Sequence, residues 1–574
     1  MVENRLICTG NSELISDLKK NIYIGDWCLE DTGVKEKIQN LKNNVCEYHY
    51  NIDPNKIRKD WDYLSVLYDK VMNSLTIKLN QYHNKSFSRR YWEIIAGPSL
   101  VHLLSILWDR WETLKSVKKN FKIHEVAILK YDTFDYVPKD FNDLFSNKLD
   151  NHFWNNCIYS EIIKDSFNIK IVEIDFKKKK NLRLKEKFGF NHFNIFYYID
   201  IFLSKIIKEE TLFYKFGRKK TFSYLINKLK LSRFYNEFSV QIPTNNDLNR
   251  DNLILNLNPK NSFEKMLDRK LMNFLPISHL ESFKKIETYL EKITYKPKNI
   301  LTTFGHVVDD LFKIWTANNV EKKNAKLTIC SHGGSVENII NFNSWLNIAD
   351  NFITWEKKQD HKCLQLPPSY SSDFKKIDNS KNTKILFCTA NTNLYVYRIQ
   401  DYILSSQIKL YLNFWRHFIS KLDFKIKKNI VVRHIPHTDP WSQKKEFEKF
   451  LGKGSISKKK NFLDEVKNSK IIINTALQTT FFESMLSGVP TIVLLKDDLW
   501  NLSEEGKKIY NLMIKKKIIF KNISSLVQHL NEIDENPLSW WNSNELISVR
   551  NKFHEHYCNY KDNQKWKNFF TNLV

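Results

Sequence analysis

The sequence lacks the cysteine patterns that indicate a metal site. Its eight cysteines are scattered, with no C-x-x-C pair and no cysteine and histidine cluster at zinc spacing. Scattered cysteines of this kind are typically reduced and mostly buried. We therefore expect a cytosolic protein.

Long uninterrupted apolar runs are also missing. The stretches FNIFYYIDIFLSKII and SLVHLLSILW are broken by Asp200 or are too short to span a bilayer. The first residues, MVENRLICTGNSELISDL, lack a basic start followed by an apolar core, so no signal peptide is predicted. Any membrane contact is expected to be peripheral, at the inner face of the cytoplasmic membrane.

What the chain does contain is enough apolar material for large cores. Hydrophobic residues make up 42% and aromatic residues 14% of the chain, which excludes a disordered protein. Its 574 residues exceed the ~250–300 at which a single core stops growing. Two or more domains are therefore expected.

The formal charge of +26 raises the question of a polyanionic partner. Lysine, asparagine and isoleucine are abundant along the whole chain, as an AT-rich genome would produce, and we attribute more than half of the excess positive charge to that composition. A nucleic-acid-binding protein is the alternative of another class, but the basic residues are spread out and no helix-turn-helix or RNA-binding signature is present. The clusters FKKKKNLRLKEKF, KFGRKK and IKKKIIFKN remain candidates for phosphate or lipid-headgroup contact.

The order of elements predicts an α/β protein. From Asn299 onward, strand patterns such as KLTIC, KILFC, NIVVR and KIIIN alternate with helical patterns, as in a parallel, doubly wound sheet. The first half shows the same alternation with helical insertions. Pro297 interrupts the chain between the halves. We predict an N-terminal α/β domain with helical insertions (1–295), a C-terminal Rossmann-like domain (296–535) and a helical, aromatic tail (536–574).

The segment NTALQTTFFESMLSGVPTIVL points to a binding site. A strand ends near Asn474 and Thr475, and a helix then begins at Thr479 and Thr480, where free N–H groups and hydroxyls can bind an anion. Glu483, one turn later, can accept hydrogen bonds from ribose hydroxyls, and Gly488 is predicted to end the helix. The alternative is that the threonines are N-caps and the glutamate interacts only with the helix dipole.

Three other predicted strands end in polar residues. Because ligands bind at the carboxyl edge of an open parallel sheet, these ends are expected to contribute to the same site. Each is a weak signal alone, since a histidine after a strand is more often a structural hydrogen-bond partner. The residues are His332, Gly333, Gly334, Thr389, Asn391, Asn393, Arg433, His434 and His437.

Four segments of the chain resemble the transferase family of O-antigen gene clusters, which is related to capsule Kdo-transferases and to GT-B glycosyltransferases. They are YIGDWC (23–28), RRYWEIIAGPSLVHLLSILWDRW (89–111), SHGGSVENIINFNSWLNIADNFITW (331–355) and the segment from Asn474 described above. The resemblance runs nearly end to end. The resemblance implies two Rossmann-like domains that face each other across a cleft. The donor nucleotide would bind the second domain and the acceptor the first, and the last helices would cross back to pack on the first domain. It also implies a nucleotide-sugar donor, favouring a CMP-activated ulosonic acid, and a glycan or lipid-linked acceptor of surface-polysaccharide biosynthesis.

Catalytic candidates follow from this scheme. Asp26, at a turn after a strand, is the first candidate for the base or nucleophile. Glu93 is the second, and an ion pair with Arg89 is its equally weighted alternative. Arg89 and Arg90 are predicted to bind the acceptor or a sugar carboxylate. His332 and His434 are predicted phosphate or base contacts.

Neither a cofactor nor a metal is expected, because a helix N-terminus and basic side chains can hold the departing phosphate. The pairs Asp309-Asp310 and Asp497-Asp498 are unfavourable metal sites, since adjacent residues on a helix point apart. Polyol-phosphate transfer and epimerisation of a UDP-sugar remain alternatives on the same fold. The sequence leaves open the sugar, the acceptor and the anomeric outcome.

Overall fold

The computed structural model describes most of the chain. The described residues are 4–15, 20–30, 44–176, 210–216, 233–234, 250, 252–293, 295–334, 344–358, 360–368, 379, 381–399, 403–435, 439–496, 499, 504–557 and 564–572.

The described strands form three sheets, and all pairings within them are parallel. The first sheet has the order β2-β1-β3-β4. Its strands are β1 (Arg5–Ile7), β2 (Asn21–Tyr23), β3 (Glu125–Leu129) and β4 (Lys170–Ile174).

The second, six-stranded sheet has the order β6-β5-β7-β8-β9-β10. Its strands are β5 (Thr211–Tyr214), β6 (Arg233–Phe234), β7 (Asn299–Thr302), β8 (Lys326–Cys330), β9 (Asn351–Thr354) and β10 (Cys363–Gln365).

The third, five-stranded sheet has the order β12-β11-β13-β14-β15. Its strands are β11 (Lys384–Cys388), β12 (Ile430–Arg433), β13 (Ser469–Asn474), β14 (Thr491–Leu494) and β15 (Ile519–Phe520). They are short and almost wholly apolar, as expected for strands covered on both faces.

The helices of eight or more residues cover the sheets. They are α1 (Lys56–His83), α2 (Arg89–Asn120), α3 (His152–Ser166), α4 (Ser262–Phe274), α5 (Phe283–Leu290), α6 (Asp310–Lys323), α7 (Gln407–Lys421), α8 (Gln443–Leu451), α9 (Thr479–Ser487), α10 (Glu504–Lys515), α11 (Ile523–Ile533), α12 (Asn544–Tyr557) and α13 (Gln564–Thr571). Shorter helical segments include His49–Ile52, Thr133–Tyr136, Phe141–Asp143, Gly305–Val308, Ser344–Ile348, Phe424–Lys427, Phe462–Val466 and Pro537–Trp541, and a 3-10 turn spans Asp26–Leu29.

The α/β class with Rossmann-like parallel sheets is confirmed, but the grouping of strands differs from the sequence prediction. The strands after residue 299 were expected in one sheet and belong to two. Strand β5, from before the predicted boundary at 295, pairs with β7 from after it. The division into domains itself stays a prediction.

Helix α2 holds the first two sheets together. It is buried on nearly every side and contains Pro98, and it packs against α1, α3 and α6. A helix that is buried on nearly every side belongs in the interior of a large core. One continuous apolar cluster accordingly runs from β1 through α2 to the five-stranded sheet.

The C-terminal helices cross between sheets. Phe553 of α12 packs on Phe481 and Phe482 of α9. Trp566 and Phe570 of α13 join an apolar cluster on the six-stranded sheet, whose other members are Phe213, Phe216, Leu301, Ile353 and Leu366. Within the described part of the chain, no helix has both the length and the apolar character needed to cross a bilayer.

Candidate functional site at the edge of the five-stranded sheet

The strand order of the five-stranded sheet reverses between β11 and β13. β12 lies on one side of β11, while β13, β14 and β15 follow on the other. Chain connections leave such a switch point in opposite directions, and the crevice outside the strand ends there is where open α/β sheets bind ligands. Cys388 and Asn474 are paired at this point and mark the two strand ends.

The end of β11 carries two of the predicted contacts. The Thr389 hydroxyl donates to the Arg433 carbonyl (3.2 Å), which ties the ends of β11 and β12 together. The amide of Ala390 donates to the Tyr411 hydroxyl (2.9 Å). Asn391 accepts a hydrogen bond from the side chain of Gln443 (2.8 Å). These contacts fix the loop that follows β11.

The end of β13 is fixed by buried hydrogen bonds. The Thr475 hydroxyl lies 2.9 Å from both the Cys388 carbonyl oxygen and the Tyr411 hydroxyl. Asn474 donates to Ser484 (3.2 Å), and its side-chain oxygen is buried without a hydrogen-bond partner among the described residues. Thr475 is fully buried, so its role is to set the strand end.

Helix α9 presents its first turn to the crevice. Its N-cap is Gln478, which makes no side-chain cap, and Thr479 and Thr480 are the first two helical residues. The threonines are therefore not N-caps. Their amides lie at the end of the helix, whereas the Phe481 amide donates to the Gln478 carbonyl (2.8 Å). Gly488, at φ 75°, ends the helix, as the sequence predicts.

Glu483 is half-buried one turn into α9. Its carboxylate is close enough to Cys388 to raise the pKa of that buried thiol, which burial raises most, while Arg433 acts in the opposite direction. Glu483, Cys388 and Arg433 therefore share one electrostatic environment at the strand ends.

Arg433 and His434 follow β12 as predicted, with protein partners of their own. The Arg433 guanidinium donates to the carbonyls of Lys459 (3.2 Å) and Lys460 (3.3 Å) and lies over the Phe462 ring. Burial lowers the pKa of His434, whose Nδ1 lies 2.9 Å from the Ile435 carbonyl oxygen. His437 lies outside the described residues.

The residues after β8 reach the site from the six-stranded sheet rather than from the same sheet edge. A Cβ on Gly333 would lie 2.1 Å from the Thr479 hydroxyl oxygen, and one on Gly334 would lie 2.5 Å from the Phe482 ring. These glycines therefore allow close packing of two sheets. This packing explains why glycine stands at both positions without invoking a ligand. His332 is exposed beside them, with its ring 5.1 Å from that of Phe304.

Asp26 lies at the carboxyl edge of the first sheet. It follows β2, its side chain is 22% exposed, and it forms an ion pair with Lys409 of α7 (2.5 Å). The ion pair connects the first sheet to a helix of the five-stranded sheet. Asp26 is thus near the nucleotide-side elements but already has a cationic partner.

Glu93, Arg89 and Arg90 lie away from the strand ends. Glu93 is buried on α2, where it accepts from Tyr68 (3.0 Å) and Asn347 (3.2 Å). Arg89 lies 3.4 Å from the Glu93 carboxylate, which is the ion pair that the sequence left open as an alternative.

Arg89 also binds Asp69, and Arg90 donates to the Ile348 carbonyl (2.8 Å) and pairs with Asp350 (2.6 Å). The guanidinium of Arg90 thereby caps the helical segment Ser344–Ile348. These contacts give the two arginines structural partners.

Sequence reasoning missed Tyr411, which binds both strand-end loops, because its position in an amphipathic helix looks like that of any core tyrosine.

Sequence reasoning also discounted Asp309, which lies at the β5/β7 switch point of the six-stranded sheet. Burial raises the pKa of Asp309, and Tyr214 and Lys215 contact its carboxylate. Asp310 has other partners, Lys313 and His279.

Among the described residues, no group of three or more histidine, cysteine, aspartate or glutamate side chains could hold a metal ion. Asp497 and Asp498 lie outside the described residues. The strand ends and the first turn of α9 offer amides, hydroxyls and one carboxylate, which suit a polar ligand that carries an anionic group.

The sheets define a Rossmann-like α/β protein, and the strand ends described above are its candidate ligand site. The chain belongs to the LIC12162 family of transferases, whose sequence profile matches residues 4–571. It is a transferase. No curated protein matches the chain.

Three solved structures that are similar to parts of the chain are WaaG, TagF and MurG. WaaG, a glycosyltransferase involved in lipopolysaccharide biosynthesis, is 10% identical over 60% of this chain and 98% of its own, with a TM-score of 0.29. The wall teichoic acid polymerase TagF is 8% identical over 64% of this chain and 90% of its own, with a TM-score of 0.32. MurG from Acinetobacter baumannii is 10% identical over 60% of this chain and 99% of its own, with a TM-score of 0.29.

Proposed function

We propose that the chain is a glycosyltransferase that binds a nucleotide sugar in the β11/β13 crevice and transfers the sugar to a glycan or lipid-linked acceptor in surface-polysaccharide biosynthesis. The observation that carries the proposal is the switch point itself. It brings the ends of two strands together with the first turn of α9 and with Glu483. The six-stranded and five-stranded sheets are then the facing halves of a GT-B arrangement, in contact through Gly333 and Thr479.

In this proposal the leaving phosphate binds the N-terminus of α9. The amides and hydroxyls of Thr479 and Thr480 stabilise the negative charge that develops there. Glu483 accepts hydrogen bonds from the ribose hydroxyls. Arg433, held by two carbonyls, acts through its charge at the rim, and the exposed His332 contacts the donor from the facing sheet.

Asp26 remains our candidate for the group that accepts the proton of the acceptor hydroxyl. Asp309 is a second candidate, because its raised pKa suits a base and it lies at the switch point of the six-stranded sheet. The asparagine variants of the two residues separate them. The variant that loses turnover by 100-fold or more while keeping nucleotide affinity identifies the base, since general acid–base catalysis contributes ~10²–10⁴-fold.

The resemblance favours a CMP-linked ulosonic acid as the donor. The experiment is a thermal shift of the purified protein with CMP, CDP, UDP, GDP and a short single-stranded DNA. A nucleotide at 100 times its Kd stabilises the folded state by ~2.7 kcal/mol. We expect CMP to raise the melting temperature and Glu483→Ala to abolish the increase.

The matched control is Glu532→Ala on α11, which removes an exposed carboxylate beyond the far edge of the same sheet. It is expected to leave the nucleotide response unchanged. A shift with UDP or GDP alone would retain the glycosyltransferase proposal and replace CMP. A shift with DNA alone would overturn the proposal in favour of nucleic-acid binding.

A further inference from the structure

The first sheet has a switch point of its own. β1 lies between β2 and β3, so the carboxyl ends of β1 and β3 flank a crevice of the kind that binds ligands in open α/β sheets. Gly10 follows β1 at this edge. A Cβ on Gly10 would lie 2.7 Å from the ring of His152, so this glycine allows a close approach.

The crevice is filled by the chain itself. Tyr395, in the loop that follows β11, is 1% exposed, and its ring lies 5.7 Å from that of Trp27. Its hydroxyl oxygen lies 2.7 Å from His152 Nδ1, which also accepts a hydrogen bond from the Gly10 amide (3.3 Å). The guanidinium of Arg110 lies over the Tyr395 ring, 5.3 Å from its centre.

We call residues 393–397 the docked segment. Its backbone is held as firmly as its tyrosine. Asp150 accepts from the Leu394 amide (2.7 Å) and from the Asn393 side chain (2.9 Å). Arg110, itself buried, donates to the Val396 carbonyl (2.7 Å).

The docked segment is continuous with the candidate nucleotide site. It begins two residues after Asn391, and its first carbonyl, that of Asn393, accepts from the indole of Trp441 (3.2 Å). The loop from Thr389 to Asn391 is therefore anchored at one end by the sheet and at the other by the first sheet's crevice. Without the second anchor, a loop of this length would sample many conformations, and binding would have to overcome the ordering entropy.

We propose that the docked segment is a positioning device, in which Tyr395 and the first-sheet crevice hold Thr389 and Asn391 in place for the nucleotide. This inference rests on the proposed function. It also assigns the crevice between the ends of β1 and β3 to the chain itself. Tyr395 acts through the loop and does not touch the ligand.

The test is Tyr395→Phe, which keeps the ring between Trp27 and Arg110 and removes only the hydroxyl at His152. We expect the Kd for the nucleotide identified by thermal shift to rise at least fivefold in isothermal titration of the folded protein. We also expect faster hydrogen exchange at the amide of Leu394 and its neighbours. The matched control is Tyr131→Phe, which removes a hydroxyl bound to Glu161 (2.6 Å) in the same part of the chain, away from the loop.

A merely structural tyrosine would lower the melting temperature and leave the Kd unchanged. That result, or an equal effect of Tyr131→Phe, would overturn the positioning role while leaving the proposed function intact. If the wild-type protein binds none of the nucleotides, the proposed function fails, and the positioning role fails with it.

Discussion

Single charged residues of this chain take their roles from partners that are distant in sequence. Arg90 stands in a motif that suggests a ligand contact, yet its guanidinium binds Ile348 and Asp350, 258 and 260 residues away. Asp150 is a comparable case, because its carboxylate is buried against the docked segment, with Leu394 and Asn393 as its donors. Burial and partners, rather than residue type, decide what each group does.

Asp150 predicts a pH dependence of stability. Burial raises its pKa to about 6, although hydrogen bonds from the docked segment act in the opposite direction. Because the folded pKa lies above the unfolded value of about 3.9, the contribution of this group to stability is complete below pH ~4 and is lost as the pH rises through about 6.

Relative to Asp150→Asn, the wild-type protein should therefore lose about 2 kcal/mol of unfolding free energy between pH 4 and pH 7, because the folded and unfolded pKa values of this carboxyl differ by about 2 and the unfolded group is already half ionised near pH 4. Urea unfolding of both proteins across this range measures the difference. Two parallel pH profiles would show that Asp150 has an ordinary pKa.

At the scale of elements, the contact between the loop after β8 and the start of α9 joins two sheets. Gly333 and Gly334 are required because Thr479 and Phe482 lie too close to leave room for any added side chain. The glycine pair that the sequence suggests for the ligand site therefore permits close packing between two sheets.

Gly333→Ala is expected to destabilise the protein by about 1–3 kcal/mol, the usual cost of overpacking. The cost should fall in a Thr479→Ala background, because that change removes the hydroxyl oxygen nearest the added methyl group. Denaturant unfolding of the two single variants and the double variant gives the coupling energy. Purely additive effects would contradict the contact.

At the scale of the whole molecule, the last helix links the end of the chain to the six-stranded sheet. Trp566 and Phe570 cover Phe213, Phe216 and Leu366, and the Trp566 indole donates to the Pro367 carbonyl (2.9 Å). The tail thus stabilises a sheet from which it is separated in sequence by all the strands of the five-stranded sheet.

Trp566→Ala should destabilise the protein by about 3–5 kcal/mol, since it leaves a large cavity and removes the donor to the Pro367 carbonyl. Lys567→Ala, on the exposed side of the same helix, is the control and should change stability by less than about 0.5 kcal/mol. Thermal and urea unfolding of both variants measure this. Equal stabilities would mean that α13 does not pack on the sheet.

Much of the fold could be predicted because its signals are local. The apolar runs RLI, EVAIL, KILFC and KIIIN are strands β1, β3, β11 and β13, and the long periodic segment from Arg89 is helix α2. For the same reason, the start of α9 at Thr479 and its end at Gly488 were predicted from a strand end, hydroxyl residues and a glycine. The very short strands β6 and β10 carry too few residues to show a pattern.

The sequence by itself determined the α/β class, the order of helices and strands, and the polar residues at the strand ends, because hydrophobic periodicity and end signals act within a few residues. Only the tertiary structure decided that these strands form three sheets, that Gly333 meets Thr479 across two of them, and that Tyr395 fills the crevice of the first. Those features depend on which apolar faces pack together and on partners more than a hundred residues apart, as with His152 and Tyr395 (243 residues), and no local pattern encodes that choice.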